Sequence, residues 1–343
     1  MALPSPTIDT TVFIPNYNGH HYIDRALESL IEQSYRGFKV IIVDDGSEDN
    51  SLEIASRYRS KLNMRIDRYE NIGITANWNR AIRSIDTDFF TLLHYDDELD
   101  PSYLETLRAL LLTDDTMGIA HCPALTINDQ SQPSRSPVEQ YKINRYFRDE
   151  RHTKPLAVEY KMLLSGDYIV CPAVFYRTEA VQKIGLFNER YHMVQDWEYW
   201  FRVLLNGYLI GKTNDILFRY RRHATNQTNG YAHDMSRYKE EKELIEWAHA
   251  EGIKKGLLSA SDQKPYELIL KTVTLDIANT LKDNQIPEAK RKLQFVKSLL
   301  PQRRYGLMYQ MLTLFIMFGS MGGHLLCALI VLYTKLSRYT LHK

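Results

Sequence analysis

Val40-Ile41-Ile42-Val43-Asp44-Asp45-Gly46-Ser47 is an apolar, β-branched run that ends abruptly in adjacent carboxylates. Farther along, Phe89-Phe90-Thr91-Leu92-Leu93-His94-Tyr95 runs into Asp96-Asp97-Glu98 in the same way. Runs of this composition favour strands. In an open parallel sheet, ligands bind just outside the carboxyl ends of the strands. Two acid pairs delivered to that edge make a site for a metal ion and for polar groups such as ribose hydroxyls.

Working outward from the first run, residues 11–15 read as a preceding strand that ends at Pro15, followed by the polar turn Asn16-Tyr17-Asn18-Gly19. Residues 21–33 carry Ile23, Ala26, Leu27, Leu30 and Ile31 at helical spacing. A strand at 39–43, a helix at 51–62, a strand at 65–69, a helix at 76–84 and a strand at 89–93 continue the alternation. Alternating strands and helices with near-continuously apolar strands predict an α/β fold, with a parallel sheet covered on both faces. Residues 128–155 are rich in Ser, Pro and Arg and read as a loop region.

Composition narrows the class. The chain has 343 residues, 44% of them apolar and 25% charged, with a formal net charge of +1. That balance excludes the strongly basic surface a nucleic-acid partner requires. Cys122, Cys171 and Cys327 are too far apart for metal-ligand spacing or a disulfide framework, which predicts a reducing compartment. The opening MALPSPTIDTTVF lacks a basic segment followed by an apolar one, so no secretory signal is expected.

Each acid cluster has a structural reading beside its chemical one. Asp96 and Asp97 suit a metal–diphosphate site, because hard divalent cations take carboxylates plus substrate phosphates. They also suit a solvated turn that caps a helix near Pro101. Asp44 and Asp45 suit recognition of a base or ribose by carboxylate acceptors, whereas Gly46, Ser47 and Asp49 suit a turn and a helix cap. In a third cluster, Gln195-Asp196-Trp197-Glu198-Tyr199-Trp200, the apolar stripe of Trp197, Trp200, Phe201, Leu204 and Leu205 places Asp196 at a helix start. Free backbone donors and the helix dipole there favour an ionised carboxylate, which a general base needs. A capping Asp fits the same position.

The order of these segments resembles glycosyltransferase family 2 over residues 10–225. Pro15 and Tyr17 follow the first strand, and Asp-Asp-Gly-Ser follows the second. Asn71-Ile72-Gly73 precedes Asn77-Trp78-Asn79, and His94-Tyr95-Asp96-Asp97 ends the fourth strand. Gly185-Leu186-Phe187-Asn188-Glu189 leads to the Gln195-Asp196 cluster, and Tyr220-Arg221-Arg222-His223 closes the set.

The resemblance implies an inverting enzyme with the GT-A fold, of the type that assembles bacterial cell-surface polysaccharide or lipopolysaccharide. It implies a nucleotide-diphosphate sugar as donor, UDP preferred, with Mn²⁺ or Mg²⁺ as cofactor. Carried over by position, Asp196 is the general base. Pro15, Tyr17, Asp44, Asp45, Asn71, Gly73, Asn79, Asp96 and Arg222 are donor-binding residues. Asp97 and His223 are metal ligands. Trp78 stands where relatives commonly carry Arg, His94 where the metal motif has its first acid, and Gln195 where Glu is usual. A nucleotide-sugar-binding or scaffold protein that has lost catalysis is the alternative those changes leave. A Rossmann dehydrogenase is disfavoured, because Asn16-Tyr17-Asn18-Gly19 is no Gly-rich phosphate turn.

Residues 1–230 are expected to form the catalytic domain, 231–300 a helical extension and 301–343 a hydrophobic membrane-associating tail. Tyr305 through Thr334 contain no Asp, Glu, Lys or Arg, enough to span a bilayer, although Gly319–His324 divides the run. A tilted span, a re-entrant hairpin and a helical bundle packed on the protein all fit. Lys290, Arg291, Lys292, Lys297, Arg303 and Arg304 precede it without an acid and suit an anionic inner leaflet. The tail therefore predicts an enzyme at the cytoplasmic face of the inner membrane, acting on a lipid-linked or glycan acceptor.

Overall fold

A computed structural model of the chain describes residues 7–223, 235–262, 266–299 and 306–326. The chain divides into two compact units, Met1–Tyr231 with Ala250–Ala260, and Ala232–His249 with Ser261–Lys343. The expected boundaries at 230 and 300 fall at residues outside the described ones.

The first unit is built on strands β1 (Thr10–Asn16), β2 (Phe38–Asp44), β3 (Met64–Arg68) and β4 (Phe89–Leu92), joined by helices α1 (Ile23–Ile31), α2 (Ser51–Ser56) and α3 (Ile74–Arg83). Next come β5 (Glu98–Leu99), α4 (Tyr103–Leu112), β6 (Met117–His121), β7 (Ala124–Ile127), α5 (Pro137–Tyr146), α6 (Leu156–Leu164), β8 (Val174–Arg177) and α7 (Thr178–Ile184). Helix α8 (Gln195–Leu205) and strands β9 (Leu209–Lys212) and β10 (Phe218–Arg221) complete it. Among the described residues that follow are helices over Ser236–Lys254, Glu267–Lys282, Ile286–Leu299 and Gly306–Met317. The α/β class and the C-terminal helices match the reading from sequence.

The main sheet has seven strands in the order β3-β2-β1-β4-β8-β6-β9. Its β3-β2-β1-β4 half is parallel. Every residue of β1 and of β4 is buried, which is why neither strand alternates polar and apolar residues. Helix α1 seals one face with Ile23, Ala26, Leu27 and Leu30. Strand β8 departs from the parallel pattern, running antiparallel to both β4 and β6. Cross-strand aromatics secure it there: Phe90 stacks on Tyr176 at 4.6 Å and Phe89 on Phe175 at 5.9 Å.

Two expectations need correcting. The helix expected over 51–62 stops at Ser56, because Arg57 and Tyr58 donate to carbonyls three residues back and tighten the chain into turns. The loop expected over 128–155 contains α5. Its signal was a cap, not a stripe: Ser136 accepts from the Glu139 backbone N–H at 3.2 Å, and Pro137 opens the helix.

Strand order reverses between β1 and β4, since β2 and β3 lie on one side and β8, β6 and β9 on the other. That is the switch point at which an open α/β sheet leaves a crevice. A second sheet, β5-β10-β7, crosses the same edge and pairs Glu98 with Arg219.

Gly46 turns the chain out of β2 with φ of +81°, and a Cβ there would stand 3.1 Å from the Asn71 backbone nitrogen and 3.3 Å from the Tyr69 carbonyl oxygen. Gly46→Ala is expected to lower stability by about 1–2 kcal/mol from left-handed strain alone. A shift in the urea midpoint with the slope unchanged checks it.

Candidate active site

Asp44 and Asp45 sit at the end of β2, and the structure shows both engaged with the protein itself. Asp44 is fully buried. Its Oδ1 accepts from Asn16 Nδ2 at 2.7 Å and its Oδ2 from the Ser47 backbone N–H at 3.0 Å. Asp45 accepts from the backbone N–H groups of Ile72 and Gly73 at 3.0 and 2.9 Å. The first acid pair thus ties the Gly46-Ser47 turn to β1 and holds the segment carrying Asn71 and Gly73 in place. Gly73 has φ of +88°, and Asn71 and Gly73 are exposed beside this turn. Pro15 is buried within β1, opposite Val43, and Tyr17 just beyond it is exposed.

Asn79 is buried on α3, and both ends of its amide are spent on one loop. Its Oδ1 accepts from the Phe187 N–H at 2.8 Å, and its Nδ2 donates to the Phe187 carbonyl at 2.9 Å and to Glu189 Oε1 at 2.8 Å. It clamps the segment that leads to α8. Trp78, the residue standing in place of a common Arg, is buried and stacks on the His94 imidazole at 5.4 Å and 25°.

The second acid pair differs in kind. Asp97 is 1% exposed. Its Oδ1 accepts from the Arg221 backbone N–H at 2.8 Å, while its Oδ2 has no partner among the described residues. Burial, then the neighbouring Asp96 charge, holds its carboxyl well above the usual range. His94 Nε2 is likewise buried and unpartnered, and burial pushes that imidazole down from its ordinary value. Ligand atoms of His94, Asp96 and Asp97 all lie within 4.8 Å of one another. Unsatisfied acceptors grouped in a dry pocket are costly unless a cation joins them, so these residues fit a divalent ion. His223 stands one step back, with Nε2 3.0 Å from Asp96 Oδ2 and its ring 4.9 Å from that of Tyr22.

Within Tyr220-Arg221-Arg222-His223 the roles divide sharply. Arg222 is exposed and lies over the Tyr220 ring at 4.6 Å. Arg221 has no exposed side chain at all. Its Nε donates to the Asp96 carbonyl at 2.7 Å, Nη1 to the Asn128 carbonyl at 2.5 Å, and Nη2 to Ser131 Oγ at 2.9 Å and to Glu98 Oε1. Arg221 builds the floor of the site and does not face a ligand. The sequence gives no local signal of this role, because nothing in the Tyr220–His223 segment distinguishes Arg221 from Arg222.

Asp196 occupies the second position of α8, and its Oδ1 accepts from the Trp197 N–H at 2.8 Å. The helix start was expected to keep it readily ionised. Burial outweighs those backbone donors, and its pKa is raised. Asp167, a residue with no motif around it, sits within electrostatic reach. Burial first and the Asp196 charge second push Asp167 well above the usual range, with Lys142 opposing. Burial thus raises both carboxyls, and the Asp196 charge adds to the shift at Asp167.

The segment order, the switch-point crevice and the carboxylate cluster converge with sequence comparison. The model of glycosyl transferase family 2 matches residues 11–183, half of the chain. The chain belongs to that family. An uncharacterized glycosyltransferase of Rickettsia prowazekii is 27% identical over 231 residues, 67% of this chain and 69% of the relative. Among solved structures, Staphylococcus aureus TarS 1–349 in complex with UDP-GlcNAc superposes with a TM-score of 0.61 at 17% identity, covering 92% of this chain and 89% of that one. The mannosyltransferase PcManGT of Pyrobaculum calidifontis, in complex with GDP-Man and Mn²⁺, gives 0.53 at 17% identity over 96% and 87%. This family 2 glycosyltransferase therefore has the GT-A fold.

Asp97 carries a testable stability penalty. Its folded-state pKa lies above the unfolded value, so its contribution favours the fold at low pH and is lost as pH rises through the folded pKa. Asp97→Asn keeps an acceptor for the Arg221 N–H and removes the charge. The melting temperature of the metal-free variant at neutral pH should rise by about 2–4 °C. Calorimetry checks the sign.

Proposed function

We propose that this glycosyltransferase is inverting and metal-dependent. It moves a sugar from a nucleotide-diphosphate sugar, a UDP-sugar first, to a hydroxyl of a lipid-linked or polysaccharide acceptor. The observation that carries the reading is the division of labour between two carboxylate centres. One, at the end of β4, has buried acceptors waiting for a cation. The other, Asp196, is a separate carboxylate on α8 within electrostatic reach of Asp167. TarS and PcManGT, with UDP-GlcNAc and GDP-Man respectively, support a nucleotide-sugar donor.

Asp97, with Asp96 beside it, would hold Mn²⁺ or Mg²⁺, which supplies charge neutralisation to the departing diphosphate. The chain's own residues do the rest. Exposed Tyr17, Asn71 and Gly73 border the nucleotide cleft, behind which Asp44 and Asp45 fix the loops. Arg222 is the exposed cation of the β10 end and suits a phosphate. Asp196 takes the proton of the acceptor hydroxyl as that oxygen bonds to the anomeric carbon. The bond to the diphosphate breaks on the opposite face, the configuration inverts, and the proton ends on Asp196.

Asp196→Asn should lower transfer by about 10²–10⁴-fold while donor affinity stays within a fewfold. Single-turnover transfer and donor calorimetry separate the two. Because Asp196 acts ionised and burial raises its pKa, the acid limb of kcat/KM should lie above the ordinary carboxylate value. A limb at the ordinary value in the wild type would remove Asp196 as the base.

Attachment to a membrane at its cytoplasmic face is proposed from the second unit. No helix among the described residues is long and apolar enough to cross a bilayer, and residues 327–334 of the uncharged run lie outside the described ones. The 306–326 segment bends at Phe318 and Gly319, where φ is +55°. It leaves Leu314, Met317, Phe318, Met321 and Leu325 exposed, Met317 at 79% and Met321 at 75%. Such a corner suits shallow insertion into a leaflet. Lys290, Arg291 and Lys297 are exposed nearby in sequence, each worth about 1 kcal/mol on an anionic surface. Lys292 drops out of the basic cluster, because it is buried against Asp276 at 2.7 Å and Thr280 at 2.9 Å. The full chain should float with phosphatidylglycerol vesicles, and Met317→Glu combined with Met321→Glu should not. A wild-type chain that stays in solution sinks the attachment.

A further inference from the structure

We infer that His94 is itself a ligand of the divalent cation, making this centre an imidazole–dicarboxylate site that takes Mn²⁺, or another borderline ion, in preference to Mg²⁺. The inference rests on the metal-dependent reading above and adds to it the identity of a ligand and the choice of ion.

Three observations carry it. First, one atom each from His94, Asp96 and Asp97 falls within 4.8 Å of the others. Opposite ligands on an ion with bonds of about 2.1 Å stand roughly 4.2 Å apart, so closing on an ion asks for well under an ångström of movement. Second, Asp97 is 1% exposed with Oδ2 unpartnered, and His94 Nε2 is also buried and unpartnered. A carboxylate oxygen and a ring nitrogen left unsatisfied in one pocket are both satisfied by one cation. Third, the imidazole has a fixed plane. It stacks at 25° on Trp78, which Phe187 supports edge-on at 5.4 Å, and Asn79 pins Phe187 through two backbone hydrogen bonds. His223 reaches Asp96 Oδ2 at 3.0 Å and so orients a ligand carboxylate.

The choice of ion follows from the donor set. Mg²⁺ demands near-ideal octahedral oxygen ligation and keeps several waters. Imidazole suits later and more polarisable ions, and affinity for a given nitrogen and oxygen set rises along the first row from Mn²⁺. An all-carboxylate version of the site would lack that bias.

Electron spin-echo spectroscopy of Mn²⁺ bound to the full chain, alone and with UDP, tests this directly, since a bound imidazole nitrogen imprints a ¹⁴N modulation. The expected result is ¹⁴N modulation in the wild type that disappears in His94→Gln, with Mn²⁺ affinity reduced at least tenfold. His94→Asp should bind Mg²⁺ more tightly than the wild type does and narrow the Mn²⁺-to-Mg²⁺ affinity ratio by about tenfold. Mn²⁺ bound without ¹⁴N modulation in the wild type overturns the inference while leaving metal dependence intact. Modulation that persists in His94→Gln does the same and points to His223. Absence of Mn²⁺ binding even with UDP overturns both this inference and the metal-dependent reading. The wild-type spectrum decides the matter even if a variant folds poorly.

Discussion

The guanidinium of Arg221 has no exposed surface, and the edge of the sheet is arranged around it. It gathers the carbonyls of Asp96 and Asn128, the Ser131 hydroxyl and the Glu98 carboxylate, while the backbone N–H of the same residue holds Asp97. A buried cation is tolerated only when each donor finds an acceptor, and losing one partner of such a pair costs about 3–5 kcal/mol. The Asp96-Asp97-Glu98 turn, the 128–131 loop and β10 are therefore fixed together. Ser131 even accepts a left-handed φ of +61° to take part. The β4 end can then present acids in a set geometry because a residue more than a hundred positions later holds them there.

Against that fixed floor, the site keeps some groups deliberately unsatisfied. Asp97 Oδ2 and His94 Nε2 have been desolvated without being paired, whereas Asp44, Asp45 and Asn79 are fully employed. The contrast separates function from scaffold. Asp45 has both oxygens on backbone donors, whereas Asp97 has one oxygen on the Arg221 N–H and the other buried without a partner among the described residues.

The fold was largely legible in the chain. The runs ending at Asp44 and at Leu92 became the two neighbours of β1, because a strand buried on both faces must be apolar throughout and shows itself by composition. Helix α1 was visible from its stripe. What escaped notice had a different physical basis. The antiparallel insertion of β8 depends on aromatic pairs formed across strands far apart in sequence. Helix α5 lacks a strong apolar stripe and announces itself only through Ser136 and Pro137. Helix α2 ended early because its last residues tightened into turns, which no periodicity records.

By itself, the sequence determined the order of the first strands and helices, the family and the positions where acids leave the sheet, because local composition and spacing encode each of these. Only the tertiary structure decided which polar atoms are paired within the fold and which are buried without a partner among the described residues. Asp44 and Asp97 look alike in the chain, as do Arg221 and Arg222. They differ in what has been brought against them from elsewhere. Asn16 and Ser47 employ Asp44, the Glu98 carboxylate and two distant carbonyls bury Arg221, and a Trp78 stack turns His94 from an apparent loss of an acid into a candidate ligand. Burial and pairing are properties of packing between distant segments, and a one-dimensional pattern does not contain them.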